Sequence, residues 1–223
     1  MTDIEQMAIL PATDTPWQLV YHDEHLLVVD KPAMLLTVPG RHPANHDCLI
    51  SRVQREFPSA SVVHRLDYDT SGLVILPLSK KALSAISVQF QQRVVEKTYH
   101  ALVAGQPAPS QGRIDLPLAP DLTRRPLSKV CAEQGKPSLT WYDTLSYDAA
   151  ADVARMALQP KTGRSHQLRL HMQAIGHPML GDPFYAPAPI AAKAERLCLH
   201  AARVRFIHPA TGAWVEISAT TPF

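Results

Sequence analysis

Ser61-Val-Val-His-Arg-Leu-Asp-Tyr-Asp-Thr-Ser-Gly72 runs directly into Leu73-Val-Ile-Leu76. The stretch reads as a short apolar strand, a polar loop, and a second apolar strand. The loop holds His64, Arg65, Asp67, Asp69, Thr70 and Ser71. A charged loop anchored at both ends by β-branched residues is one way for a fold to present a rigid reactive group. Spacing alone also allows a plain turn in which the Asp67 side chain caps the loop and Arg65 pairs with Asp69.

Working outward toward the N-terminus, Trp17 to Pro32 reads as a hairpin. Trp17–Tyr21 and Leu26–Val29 are its strands, and His22-Asp-Glu-His25 joins them. The second strand is apolar on both faces and is therefore interior. Lys31 at its end is either a phosphate ligand or a solvated strand end. Asp47 reads as the N-cap of a helix that turns Leu49, Ile50, Val53 and Phe57 inward and stops at Pro58. Arg52, Arg55 and Glu56 form its solvated face. Residues 1–14 read as a tail.

Toward the C-terminus, Ser79 caps a helix with Leu83, Ile86 and Phe90 inward, and Val94–Val103 is a strand with Tyr99 near its middle. Pro107–Pro137 is proline-rich, carries Arg124, Arg125 and Lys129, and reads as a hairpin arm or an extended loop, not as a separate domain. Ser138–Tyr147 and Val153–Gln159 pair as strands. Thr162-Gly-Arg-Ser165 opens a helix that Gly176 ends. Leu197–Phe206 and Ala213–Ala219 close the sheet. Strands dominate and helices do not alternate strictly with them. The fold class is α+β, a single catalytic domain over 15–223 with a largely antiparallel sheet.

Composition bounds the reading. The chain has 223 residues, 46% of them hydrophobic, which suffices for a packed core. The formal net charge is +2, so a nucleic-acid partner would be held by a local basic groove, not by a global field. Cys48, Cys131 and Cys198 are odd in number and widely spaced, which predicts reduced thiols buried as small hydrophobes in a cytoplasmic protein. No apolar run is long enough to span a bilayer, and the N-terminus lacks a basic signal region, so no membrane partner is expected.

Other stretches carry candidate chemistry. Lys97-Thr98-Tyr99 puts a phenol mid-strand, where a core tyrosine is the plain alternative. Gly163-Arg-Ser-His-Gln-Leu-Arg169 puts two arginines at a helix start, where anions are favoured. His166 and His171 lack a third ligand nearby and read as non-metal residues.

These motifs together resemble the RluA-type pseudouridine synthases. His64-Arg65-Leu66-Asp67 with Thr70-Ser71-Gly72 is similar to the family's signature loop. Lys97-Thr98-Tyr99 resembles its second motif, and Gly163–Arg169 its third. Gly176-His-Pro-Met-Leu-Gly-Asp182 and Leu199-His-Ala201 resemble two further segments, in matching order from about Trp17 onward. The short arrangement, without an S4-like RNA-binding domain, is that of members acting on both 23S ribosomal RNA and transfer RNA. Where the family usually has Lys-Pro-x-Gly, this chain has Lys31-Pro32-Ala33-Met34. A glycine there suggests a positive φ, which methionine disfavours, so the turn is expected to differ.

The resemblance implies an isomerase that breaks the C1′–N1 bond of a flipped-out uridine, turns the base, and joins C1′ to C5. Asp67 would be the catalytic carboxylate, acting at C1′ or on the C2′ proton. Arg169 would be its ion partner, and Tyr99 would pack on the base and could take the C5 proton. Arg65 would enter the RNA stack, and His64 would contact RNA or brace the loop. Arg41, Arg124, Arg125, Lys129, Lys161 and Arg164 would meet phosphates. No metal or organic cofactor is called for, and a monomer is expected. The competing readings are a catalytically silent RNA-binding protein of the same fold, a hydrolase using Asp67 with Asp69, and a metalloenzyme using His166 with His171.

Overall fold

The computed structural model describes residues 9–11 and 13–223, so most of the expected tail at 1–14 lies outside the described residues. The chain forms a mixed α+β structure with mostly antiparallel strands. It divides into two compact units. The first takes the chain up to Val95 together with Arg203–Thr220, and the second takes Glu96–Ala202 and Thr221–Phe223.

In the first unit, β1 (Gln18–His22) and β2 (Leu26–Lys31) form the expected antiparallel hairpin. Asp23 builds the turn, accepting from the N–H groups of His25 and Leu26 at 2.8 and 3.0 Å. Helix α1 spans Leu49–Val53, and its cap is Cys48, not Asp47. The Ser51 hydroxyl takes the Cys48 N–H, while Asp47 is turned sideways to pair with Arg52. Arg52 is not solvated as expected. Its guanidinium also binds the carbonyls of Thr13 and Thr15, which ties that part of the N-terminal segment down.

Strand β3 (Ser71–Pro77) is buried throughout and pairs with β2. Helix α2 (Lys80–Gln91) follows, with the Ser79 hydroxyl accepting from Ala82 N–H as its cap. Ile86 packs with Leu26, Val28, Leu73 and Ile75 of the sheet and with Val204, Phe206 and Ile217 from the returning chain.

The second unit is built on β4 (Glu96–Ala104), β8 (Leu139–Asp148) and β9 (Val153–Pro160), with β4 and β8 flanking β9 antiparallel and β5 (Gln111–Asp115) outside β8. Strands β6 (Leu118–Pro120) and β7 (Ser128–Val130) form the expected hairpin arm. Helix α3 (Gln167–Ala174) lays Leu168 and Met172 against Ala101, Val103, Met156 and Leu158. It starts later than expected, at an N-cap His166 in the left-handed region with φ 55°. The loop ahead of it is closed by Gln167, whose Oε1 accepts from Thr162 Oγ1 and from Arg164 N–H.

The short helix α4 (Ala188–Ala191) precedes β10 (Leu199–Ile207), whose residues divide between the units at Arg203. In the first unit β11 (Trp214–Ser218) pairs with it. Cys48 and Cys198 are buried as expected, but Cys131 in the arm is only half-buried.

Candidate active site

The loop between His64 and Thr70 belongs to the first unit and is pinned from several sides. Residues 61–63 do not form the expected strand. The N–H of Ile75 in β3 donates to His64 Nε2 at 2.8 Å. The His64 ring also stacks on Phe90 at 4.6 Å. Of its two expected roles, bracing is the one these contacts serve.

Thr37 is 2% exposed and grips Leu66 at both ends of its backbone. Its hydroxyl donates to Leu66 C=O at 2.9 Å and accepts from Leu66 N–H at 3.1 Å. Leu66 itself is buried, which fixes exposed Arg65 on one side of it and half-buried Asp67 on the other. The Thr70 N–H is taken by the Asp67 backbone carbonyl at 3.2 Å and not by the carboxylate, so that turn bond is not a side-chain cap.

Lys31 is neither solvated nor open to a phosphate. It is fully buried, and its ammonium donates to the carbonyls of Pro32, Leu35 and Tyr68 at 2.9, 2.7 and 3.5 Å. Between the Pro32 and Leu35 carbonyls, Met34 turns the chain with φ 58°. The turn does not avoid the conformation that methionine disfavours; it adopts it. Arg41, on a loop of the same unit, is exposed.

The second unit holds Tyr99, Arg169, Arg164, Lys161, Arg124, Arg125 and Lys129. Tyr99 lies opposite Leu158 on the core-facing side of β4 and is half-buried against the aliphatic cluster. Lys97 shares that side of the strand. Burial, and then the neighbouring charge of Lys161, push its ammonium below the usual lysine range.

Arg169 is 1% exposed and makes a bidentate pair with Asp182, itself 1% exposed, at 2.9 Å through Nε and 2.5 Å through Nη2. The rings of Phe184 and Tyr185 lie 5.0 and 5.3 Å from the guanidinium carbon. Asp182 also accepts from the N–H groups of Phe184 and Tyr185, so one carboxylate shapes the turn and holds the arginine. Gly181 makes the turn possible: at φ 70° a Cβ there would sit 1.8 Å from the Arg196 carbonyl oxygen.

Thr37, Asp182, Phe184 and Tyr185 were missed as site-building residues. Gly-Asp-Pro-Phe-Tyr at 181–185, a turn signal carrying a carboxylate and two aromatic rings, was the available signal for the last three.

The remaining basic residues of the second unit lie on the arm, after β9 and in the loop before α3. Arg124, Arg125 and Lys129 are exposed on the arm, with Arg124 paired to buried Asp121 at 2.9 Å. Lys161 is exposed, and Arg164 is half-buried in the loop before α3, not within the helix. Both ring nitrogens of buried His171 are engaged, Nδ1 with Thr140 Oγ1 at 2.9 Å and Nε2 with Leu116 C=O at 3.1 Å. It is therefore a core histidine.

The sequence matches the family described as RNA pseudouridylate synthase over residues 25–174. The chain belongs to the RNA pseudouridylate synthase family. The synthase is 47% identical over 209 residues to the dual-specificity RNA pseudouridine synthase RluA of Escherichia coli strain K12, covering 93% of this chain and 95% of that one. It is 49% identical over 204 residues to the protein of the same name from Vibrio vulnificus, covering 90% and 81%. Among solved structures it resembles human RNA pseudouridylate synthase domain containing 1, with TM-score 0.81, 31% identity, and coverage of 96% and 86%. The synthase converts uridine to pseudouridine in RNA, and the silent-binder reading is not favoured. Among its described residues no helix is long and apolar enough to cross a membrane.

Proposed function

We propose that the synthase acts as a monomer in the cytoplasm on uridines of 23S ribosomal RNA and of transfer RNA anticodon stem-loops, with Asp67 as the catalytic carboxylate. The observation that carries the choice of Asp67 is the double grip of Thr37 on Leu66, which fixes the backbone next to that half-buried carboxylate. The curated relatives' dual-specificity name supports the breadth of substrate. The free thiols suit a reducing compartment.

Asp67 acts on the sugar, either by attack on C1′ or by taking the C2′ proton. Either route expels N1 of the uracil with the bonding pair. The freed base turns and C5 bonds to C1′, as the Asp67–C1′ bond breaks in the first route or Asp67 returns its proton to C2′ in the second; the C5 proton then leaves and N1 takes one up. Tyr99 packs on the base and relays the C5 proton, its phenol oxygen accepting it as the hydroxyl proton passes on. Arg169 favours the ionised aspartate. Asp182 holds its Nε–Nη2 edge. Arg65, exposed next to the pinned Leu66, takes the place of the flipped nucleotide at a cost of about a few kcal/mol to the RNA. Arg41, Arg124, Arg125, Lys129, Lys161 and Arg164 hold phosphates, and His64 braces.

The test is tritium release from transcripts labelled at uracil C5, using wild type and Asp67→Asn on ribosomal RNA and on transfer RNA. Release by wild type alone supports Asp67, and the RNA that responds identifies the substrate. Release that persists in Asp67→Asn removes Asp67 from the mechanism. Free uracil among the products would mean hydrolysis.

A further inference from the structure

We propose that Tyr185 is a positioning residue that couples the basic hairpin arm to Arg169. The inference rests on the reading above, in which Arg169 serves the chemistry and the arm meets RNA.

The phenol oxygen of Tyr185 accepts from the backbone N–H of Ser128 at 2.9 Å and is bonded to His166 Nδ1 at 2.6 Å. A phenol has one proton and two lone pairs, so both bonds form at once. Ser128 is the first residue of β7 and is buried, while Lys129 beside it and Arg124 and Arg125 at the arm's tip are exposed. The arm is therefore rooted in the core and charged at its end. The tip is itself braced: buried Asp121 accepts from Thr123 N–H and Oγ1 and from Arg124 Nε. A force on the tip passes to β7 through a stiff turn.

On the other side, His166 is the residue from which α3 starts, and Arg169 lies in the first turn of that helix. The Tyr185 ring also touches the guanidinium directly at 5.3 Å, while Phe184 meets it at 5.0 Å and is 40% exposed. One side chain thus joins the root of the arm, the start of the helix and the arginine. Phosphate binding by the arm reaches Arg169 through the phenol. Substrate that grips the arm correctly seats the guanidinium; substrate that does not leaves it loose.

Tyr185→Phe keeps the ring against Arg169 and removes both hydrogen bonds. The measurement is the single-turnover rate of pseudouridine formation with enzyme saturating, which does not depend on the folded fraction, together with the Kd for RNA. The variants are Tyr185→Phe, Arg124→Ala with Arg125→Ala, and all three combined. Tyr185→Phe is expected to slow the bound-state rate about tenfold with Kd unchanged. The arm variant weakens binding and also slows the bound-state rate. In the combined variant the rate is no slower than in Tyr185→Phe alone. A wild-type rate in Tyr185→Phe, an arm variant that alters Kd only, or rate effects that multiply would each overturn the coupling. Arg169→Lys separates the two ideas: if it retains the wild-type rate, the role of Arg169 fails irrespective of Tyr185.

Discussion

Met34 is the residue at which local cost is plainest. A left-handed conformation costs a non-glycine residue about 1–2 kcal/mol, of which glycine would return about 0.5–1 to unfolded-chain entropy. Met34→Gly is expected to stabilise the first unit by about 0.5–1 kcal/mol, read as a higher midpoint in urea. Thr37 is the converse case, a small side chain with a large duty. Thr37→Val keeps the volume but strands Leu66 N–H and C=O, and it should slow single-turnover catalysis about tenfold without changing the Kd for RNA. Lys31 shows why such duties stay hidden in sequence. An ammonium after a strand is usually solvated, and only three carbonyls converging from Pro32, Leu35 and Tyr68 make burial tolerable. Alternation of apolar residues says nothing about where carbonyls point.

At the scale of elements, hairpins and the α2 cap were legible because their signals are local: alternating strands, a turn carboxylate, a serine before an amphipathic run. Residues 61–63 were not, because their apolar side chains pack without a strand ladder, with the Ser61 N–H reaching β3 at the Pro77 carbonyl. The start of α3 was misplaced because Gln167, inside the helix, closes the loop ahead of it. The β1–β2 turn gives an acid-sensitivity prediction. Burial would raise the Asp23 carboxyl, but hydrogen bonds from the Tyr21 hydroxyl, the His25 N–H, His208 and the Leu26 N–H outweigh it and hold the group well below the usual carboxylate range. Its contribution to stability is then full above the unfolded value and is lost as pH falls below about 4. Asp23→Asn should flatten the loss of urea stability in that window. In the 181–185 turn, Asp182→Asn removes the charge that the buried Arg169 guanidinium grips with two hydrogen bonds and should cost about 3–5 kcal/mol by the same measurement.

At the scale of the whole molecule, the family and the α+β class were legible from motif order, whereas the partition into two units was not, since it depends on which late residues return to which core. Two solution properties follow. Affinity for RNA should fall steeply with salt, and removing Arg124 and Arg125 should reduce the log–log slope by about 0.7 per lost phosphate contact; an unchanged slope would take the arm out of the binding surface. His200 in β10 is pushed down to about 4 by burial, then by the charges of Arg196 and His100. Its folded form prefers to be neutral, so the stability it contributes is present above its ordinary value of 6.5 and drains away as pH falls from there toward 4. His200→Gln should remove that slope from the urea stability curve. The return of the chain at Arg203 also matters during synthesis. Val204, Phe206 and Ile217 complete the core begun by Leu26, Val28 and Ile75, so the half made first by the ribosome is the half that finishes last. Until the final strands emerge, the core beneath the loop proposed to carry catalysis is unfinished, and a nascent chain is expected to modify no RNA, including that of the ribosome making it.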